Sequence, residues 1–160
     1  MNYSGTFLSS RDPEEVFNLL ATPEHFAPLL PDYDSMTPQD PTHFTLRIAI
    51  ALGEMSGHVD LAMELSETDR PMTVGYRGQG MVAGSQLRMS LQFRMAPAAT
   101  STEVSWQGEF SLDGGLAFLA GSLIEPMGRK HFDRMAERFR NALNPPEPTP
   151  DTQSTDGNSQ

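Results

Sequence analysis

The chain has 160 residues, no cysteine and a net charge of −10. That length suits one domain with a real core, and the missing cysteines exclude disulfides and thiolate metal sites. The acidic balance argues against nucleic acid as a partner. No apolar run is long enough to span a membrane, and the start MNYSGTFLSSRDPEE lacks the basic-then-apolar pattern of a signal peptide, so a cytoplasmic location is expected.

Asn2–Ser9 reads as a first strand, with Tyr3, Gly5 and Phe7 on one face. A helix start follows: Asp12 suits the N-cap, Pro13 the first helical position, and Glu15 lies three residues after the cap. Val16, Phe17, Leu19 and Leu20 make the helix amphipathic. Thr22-Pro23-Glu24 repeats the signal and opens a second short helix through Phe26 to Leu30, which Pro31 ends.

Tyr33–Gln39 reads as the second strand, and alternation then becomes regular. Phe44, Leu46, Ile48, Ile50 and Leu52 share one face. Met55, Gly57, Val59, Leu61, Met63 and Leu65 form the next apolar row. Met72, Val74 and Tyr76 follow, with a glycine-rich break at Gly78, Gly80 and Gly84. Two further strands carry Leu87, Met89, Leu91, Phe93, Met95 and then Val104, Trp106, Gly108, Phe110, Leu112. One apolar and one polar face means an antiparallel sheet wet on one side. Gly114–Leu143 has helical spacing instead, and such a sheet needs a helix of that length to cover it. Leu116, Leu119, Leu123 and Met127 make one stripe; Phe132, Met135, Phe139 and Leu143 extend another. Pro126 within the pattern predicts a kink that separates an apolar early half from a basic late half. Residues 144–160 are Pro-rich and acidic and are expected to be a disordered tail after a domain over 1–143.

The order β-α-α-β6-α resembles the helix-grip fold of the START/SRPBCC superfamily, an α+β fold with a seven-stranded curved antiparallel sheet around a long C-terminal helix. Within it, the chain resembles the CoxG family, the G subunit of carbon monoxide dehydrogenase. The stretches that carry the likeness are Arg11–Phe17 with Thr22-Pro23-Glu24 and Leu30-Pro31, then Gly78-Gln79-Gly80 with Gly84-Ser85, then Thr102-Glu103-Val104 with Gly114-Gly115-Leu116-Ala117. The resemblance implies an apolar cavity between sheet and helix, a bound quinone- or lipid-like molecule, and an accessory role beside a molybdenum hydroxylase. The tail here is acidic, unlike the membrane-contacting extension of some relatives.

The expected lining is Phe17, Phe26, Leu29, Leu30, Ile48, Val59, Met63, Tyr76, Met81, Met89, Phe93, Trp106, Phe110, Leu119, Leu123 and Met127. Such pockets are mostly apolar, and the abundant methionines suit an adaptable one. Tyr3, Tyr76 and Trp106 each bring one polar group that wants a partner when buried. His25, His43, His58 and His131 show no metal-ligand spacing, so no metal is expected. Ser85 and Ser122 lack triad partners, and the glycines lack the lysine and helix of a phosphate loop. No catalytic residue is assigned. An enzyme of the cyclase or dehydratase type would have to draw on Tyr3, Tyr76, His25 or Glu125. Arg129, Lys130, Arg134 and Arg138 make the late helix basic, which suits the helix dipole or a peripheral membrane or partner contact.

Overall fold

The helix signal after the first strand holds in detail. The computed structural model describes residues 1–52, 54–115 and 125–144. Strand β1 (Asn2–Ser9) leads into α1 (Pro13–Leu20), where the Glu15 amide donates to Asp12 Oδ1 at 2.9 Å and the Asp12 amide to Glu15 Oε1 at 3.3 Å. Both orphan donors are thus satisfied reciprocally. Helix α2 (Pro23–Phe26) is a single turn, and a 3-10 turn (Ala27–Leu29) continues it. Thr22 precedes α2 without capping it; its hydroxyl donates back to the Asn18 carbonyl at 2.7 Å.

Six strands follow: β2 (Tyr33–Asp40), β3 (His43–Leu52), β4 (Met55–Asp69), β5 (Thr73–Val82), β6 (Ser85–Ala98) and β7 (Ser101–Asp113). They form one antiparallel sheet with β1, in the order β1-β7-β6-β5-β4-β3-β2. Consecutive hairpins explain β2 to β7. The first strand instead pairs with the last, Tyr3 opposite Gly108 and Phe7 opposite Val104. The segment holding α1 and α2 therefore has to travel from one sheet edge to the other. Six strand spacings of roughly 4.8 Å separate those edges, so this segment crosses the whole inner face and helps to fill it.

The glycine stretch in β5 is not a break. Gly78 pairs with Met63 and Met89, and Gly80 with Leu61 and Leu87, in an unshifted ladder. The register shift in β4 lies elsewhere, between Leu65 and Glu67. Gly78 instead leaves space for the Met63 thioether, and a side chain at Gly80 would meet Leu61 and the Asp60 backbone.

Helix α3 (Glu125–Leu143) buries Gly128, Phe132, Met135, Phe139 and Leu143, the late stripe read from the sequence with Gly128 added. Pro126 stands second in the described part of α3, so the kink expected between the two halves falls at the limit of the described residues. The expected apolar early half, with Leu116, Leu119 and Leu123, lies outside the described residues. The helix end is fastened to β1. Ser9 Oγ donates to the Leu143 carbonyl at 2.8 Å, and the Asn144 side chain donates to Leu8 O at 2.7 Å and accepts from the Ser10 amide at 2.6 Å. Asn144 is thus part of the domain, and the rest of the expected tail lies outside the described residues.

Outward strand positions carry cross-strand ion pairs: Arg47–Asp60 at 3.0 Å, Arg77–Glu64 at 3.1 Å and Arg88–Asp113 at 3.2 Å. All are exposed, and each is worth at most about 1 kcal/mol.

Candidate functional site

The space between the sheet and α3 divides into a packed end and an open end. The packed end belongs to α1, α2 and the late turns of α3. Phe26 stacks on Tyr76 with ring centroids 3.9 Å apart and on Phe139 at 5.5 Å, and meets Phe93 edge-on at 6.3 Å. Phe17, Leu20 and Leu30 are buried in the same cluster. Burying a side chain such as Phe26 contributes about 1.5–3 kcal/mol, so this end is core.

The open end is an apolar groove of about 180 Å³. The sheet supplies Ile48, Ile50, Leu61, Val82, Leu87, Met89, Phe110 and Leu112, and α3 supplies Met127, Gly128, His131 and Phe132. Close approach of helix to sheet depends on two glycines. A side chain at Gly108 would run into the Phe132 ring, and one at Gly128 would run into Phe110 and the Tyr3 hydroxyl. Phe132 stacks on Tyr3 at 5.0 Å and on Trp106 at 5.9 Å, which ties the groove wall to the β1–β7 edge. A larger depression, about 680 Å³, lies on the charged outer face of the sheet near Glu64, Arg77, Arg88 and Glu109, where nothing selects an apolar molecule.

Of the sixteen expected lining residues, the groove brings together Ile48, Met89, Phe110 and Met127. Leu119 and Leu123 lie outside the described residues. Phe17, Phe26, Leu30, Tyr76 and Phe93 belong to the packed end, with Leu29 half-buried against it. Val59 and Met63 are buried in the inner row of β4, and Trp106 backs Phe132 rather than lining the groove. Met81 is a correction of face: it is 58 % exposed, because alternation in β5 turns Tyr76, Gly78, Gly80 and Val82 inward and Met81 outward. Ile50, Leu61, Leu87 and Leu112, apolar-row residues outside the expected lining, also face the groove. His131 stands one helical turn after Met127, and that spacing was the available signal for it.

The buried polar groups mostly have local partners. Tyr76 donates from its hydroxyl to the Leu20 carbonyl at 2.6 Å, and burial raises its pKa well above the ordinary tyrosine value. Tyr3 donates to the Glu125 carbonyl at 2.9 Å; burial raises its pKa, Glu125 adds to this, and Arg129 opposes it. His25 and His58 are exposed, and His43 opens β3, 3.0 Å from Asp40 at the end of β2. His131 is half-buried in the groove. Burial pushes its pKa below the ordinary histidine value, Asp32 opposing and Arg134 reinforcing the shift. Among the described residues, no cluster of histidines and carboxylates could hold a metal ion.

The basic face of α3 is partly committed to the fold. Arg138 donates to the Leu29 carbonyl at 2.8 Å and to the Pro28 carbonyl at 3.2 Å, and Arg134 approaches Asp32 at 3.4 Å. Arg129 lies over the Tyr3 ring at 5.5 Å. Arg134 and Arg138 thus hold α3 against the α2–β2 connection, and Arg129 meets β1. Among the described residues, no helix is long and apolar enough to cross a membrane.

Comparison with solved structures places this architecture in known company. A conserved protein from Geobacillus kaustophilus is 12% identical and superposes with a TM-score of 0.75, over 89% of this chain and 95% of its own. TTHA0849 from Thermus thermophilus is also 12% identical, with a TM-score of 0.65 over 89% and 97%. The di-domain ARO/CYC BexL from the BE-7585A biosynthetic pathway gives 0.60 at 12% identity, over 92% of this chain and 51% of that one. At such identities the likeness shows the fold alone, a helix-grip fold. No curated protein matches the sequence. The family model for CoxG, the G subunit of carbon monoxide dehydrogenase, matches residues 5–144, nearly the whole described domain, and the chain therefore belongs to the CoxG family.

Proposed function

We propose that the protein is a non-catalytic accessory factor that binds a hydrophobic, quinone- or lipid-like molecule in the groove between sheet and α3, in the service of a molybdenum hydroxylase of the carbon monoxide dehydrogenase type. The observation that carries this reading is the groove itself: twelve described lining residues, eleven of them apolar or glycine. Its size helps to define the occupant. A buried apolar cavity of about 150 Å³ takes one benzene-sized ring, so 180 Å³ has room for a single ring, with any chain attached to it running out of the groove. Family membership supports the link to carbon monoxide dehydrogenase. Arg129, Lys130, Arg134 and Arg140 are exposed cations of α3 that a partner or an anionic membrane surface would meet, while Arg138 is bonded to the Leu29 and Pro28 carbonyls.

A cyclase or dehydratase in the same space would require an acid/base pair. Tyr3 and Tyr76 both spend their hydroxyl protons on backbone carbonyls, and His25 and Glu125 are exposed. This arrangement favours carriage over chemistry.

Trp106 is the single tryptophan and stacks on the groove wall, so it reports occupancy. Organic extraction of the purified protein with mass spectrometry should recover an apolar molecule. Titration with a short-chain naphthoquinone should quench Trp106 saturably, and Ile50→Phe, which fills the groove, should abolish the quenching with an unchanged far-UV spectrum. No retained molecule together with no saturable quenching would sink the reading.

A further inference from the structure

Among the described residues, His131 is the one polar side chain on an otherwise apolar wall. It stands one turn beyond Met127, so both side chains reach the groove from the same face of α3. Its ring meets the neighbouring Phe132 edge-on at 5.6 Å, and among the described residues neither ring nitrogen makes a hydrogen bond. The two other polar groups nearest this space behave differently: Tyr3 and Tyr76 are both satisfied by backbone. The His131 ring nitrogens are not sealed inside the protein, so a ligand in the groove can reach them. A neutral imidazole offers one N–H donor and one acceptor nitrogen.

We infer that His131 is the specificity-determining residue of the groove, holding by a hydrogen bond the oxygen of an apolar ring, a ketone, quinone or hydroxyl, and so selecting oxygenated rings over plain hydrocarbon. This rests on the reading of the groove as a ligand site. The apolar walls bind the ring body without regard to its substituents, whereas the imidazole distinguishes a carbonyl from a methine at one point on the rim. A saturated acyl chain would gain nothing from it.

The test compares two probes of one skeleton, menadione and 2-methylnaphthalene, by calorimetric titration of the wild-type protein, His131→Leu and His131→Gln. The ratio of menadione to 2-methylnaphthalene affinity should fall about three- to tenfold in His131→Leu, the contribution of one neutral hydrogen bond. Affinity for the hydrocarbon should hold or rise. His131→Gln keeps an N–H and a carbonyl and should restore part of the ratio; thermal unfolding checks that both variants fold. If both probes bind wild type and the ratio is unchanged in His131→Leu, the assignment of His131 is overturned while the groove stands. If neither probe binds wild type, the groove reading itself fails and this inference fails with it.

Discussion

Gly108→Ala adds one methyl group where helix and sheet approach most closely, and it should destabilise the protein. Built on the present backbone, the new Cβ would lie 2.7 Å from Cδ1 and Cζ of Phe132 and closer still to Cε1. Comfortable carbon–carbon contact is about 3.5–4.0 Å, so the ring must retreat by well over 1 Å at its nearest atom. It has little freedom to do so: Phe132 is 3 % exposed and stacks on Tyr3, Trp106 and Phe110. Overpacking of this kind costs about 1–3 kcal/mol. The entropy that alanine removes from the unfolded chain returns about 0.4–1 kcal/mol. The net loss is about 1–2 kcal/mol, or roughly 3–8 °C in Tm for a domain of this size. Gly57→Ala is the control, because a Cβ there meets nothing within 4 Å. It should be neutral or gain up to about 1 kcal/mol. Urea denaturation followed by circular dichroism measures both. Combining Gly108→Ala with Phe132→Leu removes the ring edge that the methyl meets, so the double variant should lose less than the sum of the singles, by at least about 0.5 kcal/mol. A Gly108→Ala protein as stable as wild type, or a strictly additive cycle, would refute the steric argument.

Tyr76→Phe orphans the Leu20 carbonyl at a site 1 % exposed, and should cost about 1–3 kcal/mol in the same denaturation assay. Asp40 accepts from the amides of Thr42 and His43, both at 2.8 Å, and the Thr42 amide, with the His43 ring next, holds its pKa down at about 2. A carboxylate with a depressed folded pKa stabilises above its unfolded value and loses that contribution as pH falls through the folded one. The stability of wild type should therefore decline between about pH 4 and pH 2 more steeply than that of Asp40→Asn, read as Tm against pH. His131 has the opposite chemistry but the same slope. Its folded pKa lies below the ordinary value, so the unfolded chain binds the extra proton and stability is lost as pH falls below about 6.5. His131→Leu should flatten the Tm profile on the acid side of neutrality; an unchanged profile would count against burial as the cause of the shift.

The local elements were legible in the residues because their causes are local. The Asp12–Glu15 capping box needs only a cap and a carboxylate three positions on, and it forms as read. Seven strands follow from alternation, and the Phe132–Met135–Phe139–Leu143 face from helical spacing. Apolar rows also announce which face of each strand turns inward. They do not say how far along a row the space is already filled. That depends on where α1 and α2 land as they cross from the β1 edge to the β2 edge, and on the pairing of β1 with β7, both contacts between residues distant in sequence. Hence Phe17, Phe26 and Phe93, good lining residues by type, are core, while Ile50, Leu87 and Leu112 from the same kinds of row wall the groove. The sequence by itself determined the elements, their faces and the family to which the chain belongs. Tertiary packing decided which end of the grip stays open and set His131 at its wall, because a cavity is the volume that every other side chain has failed to occupy.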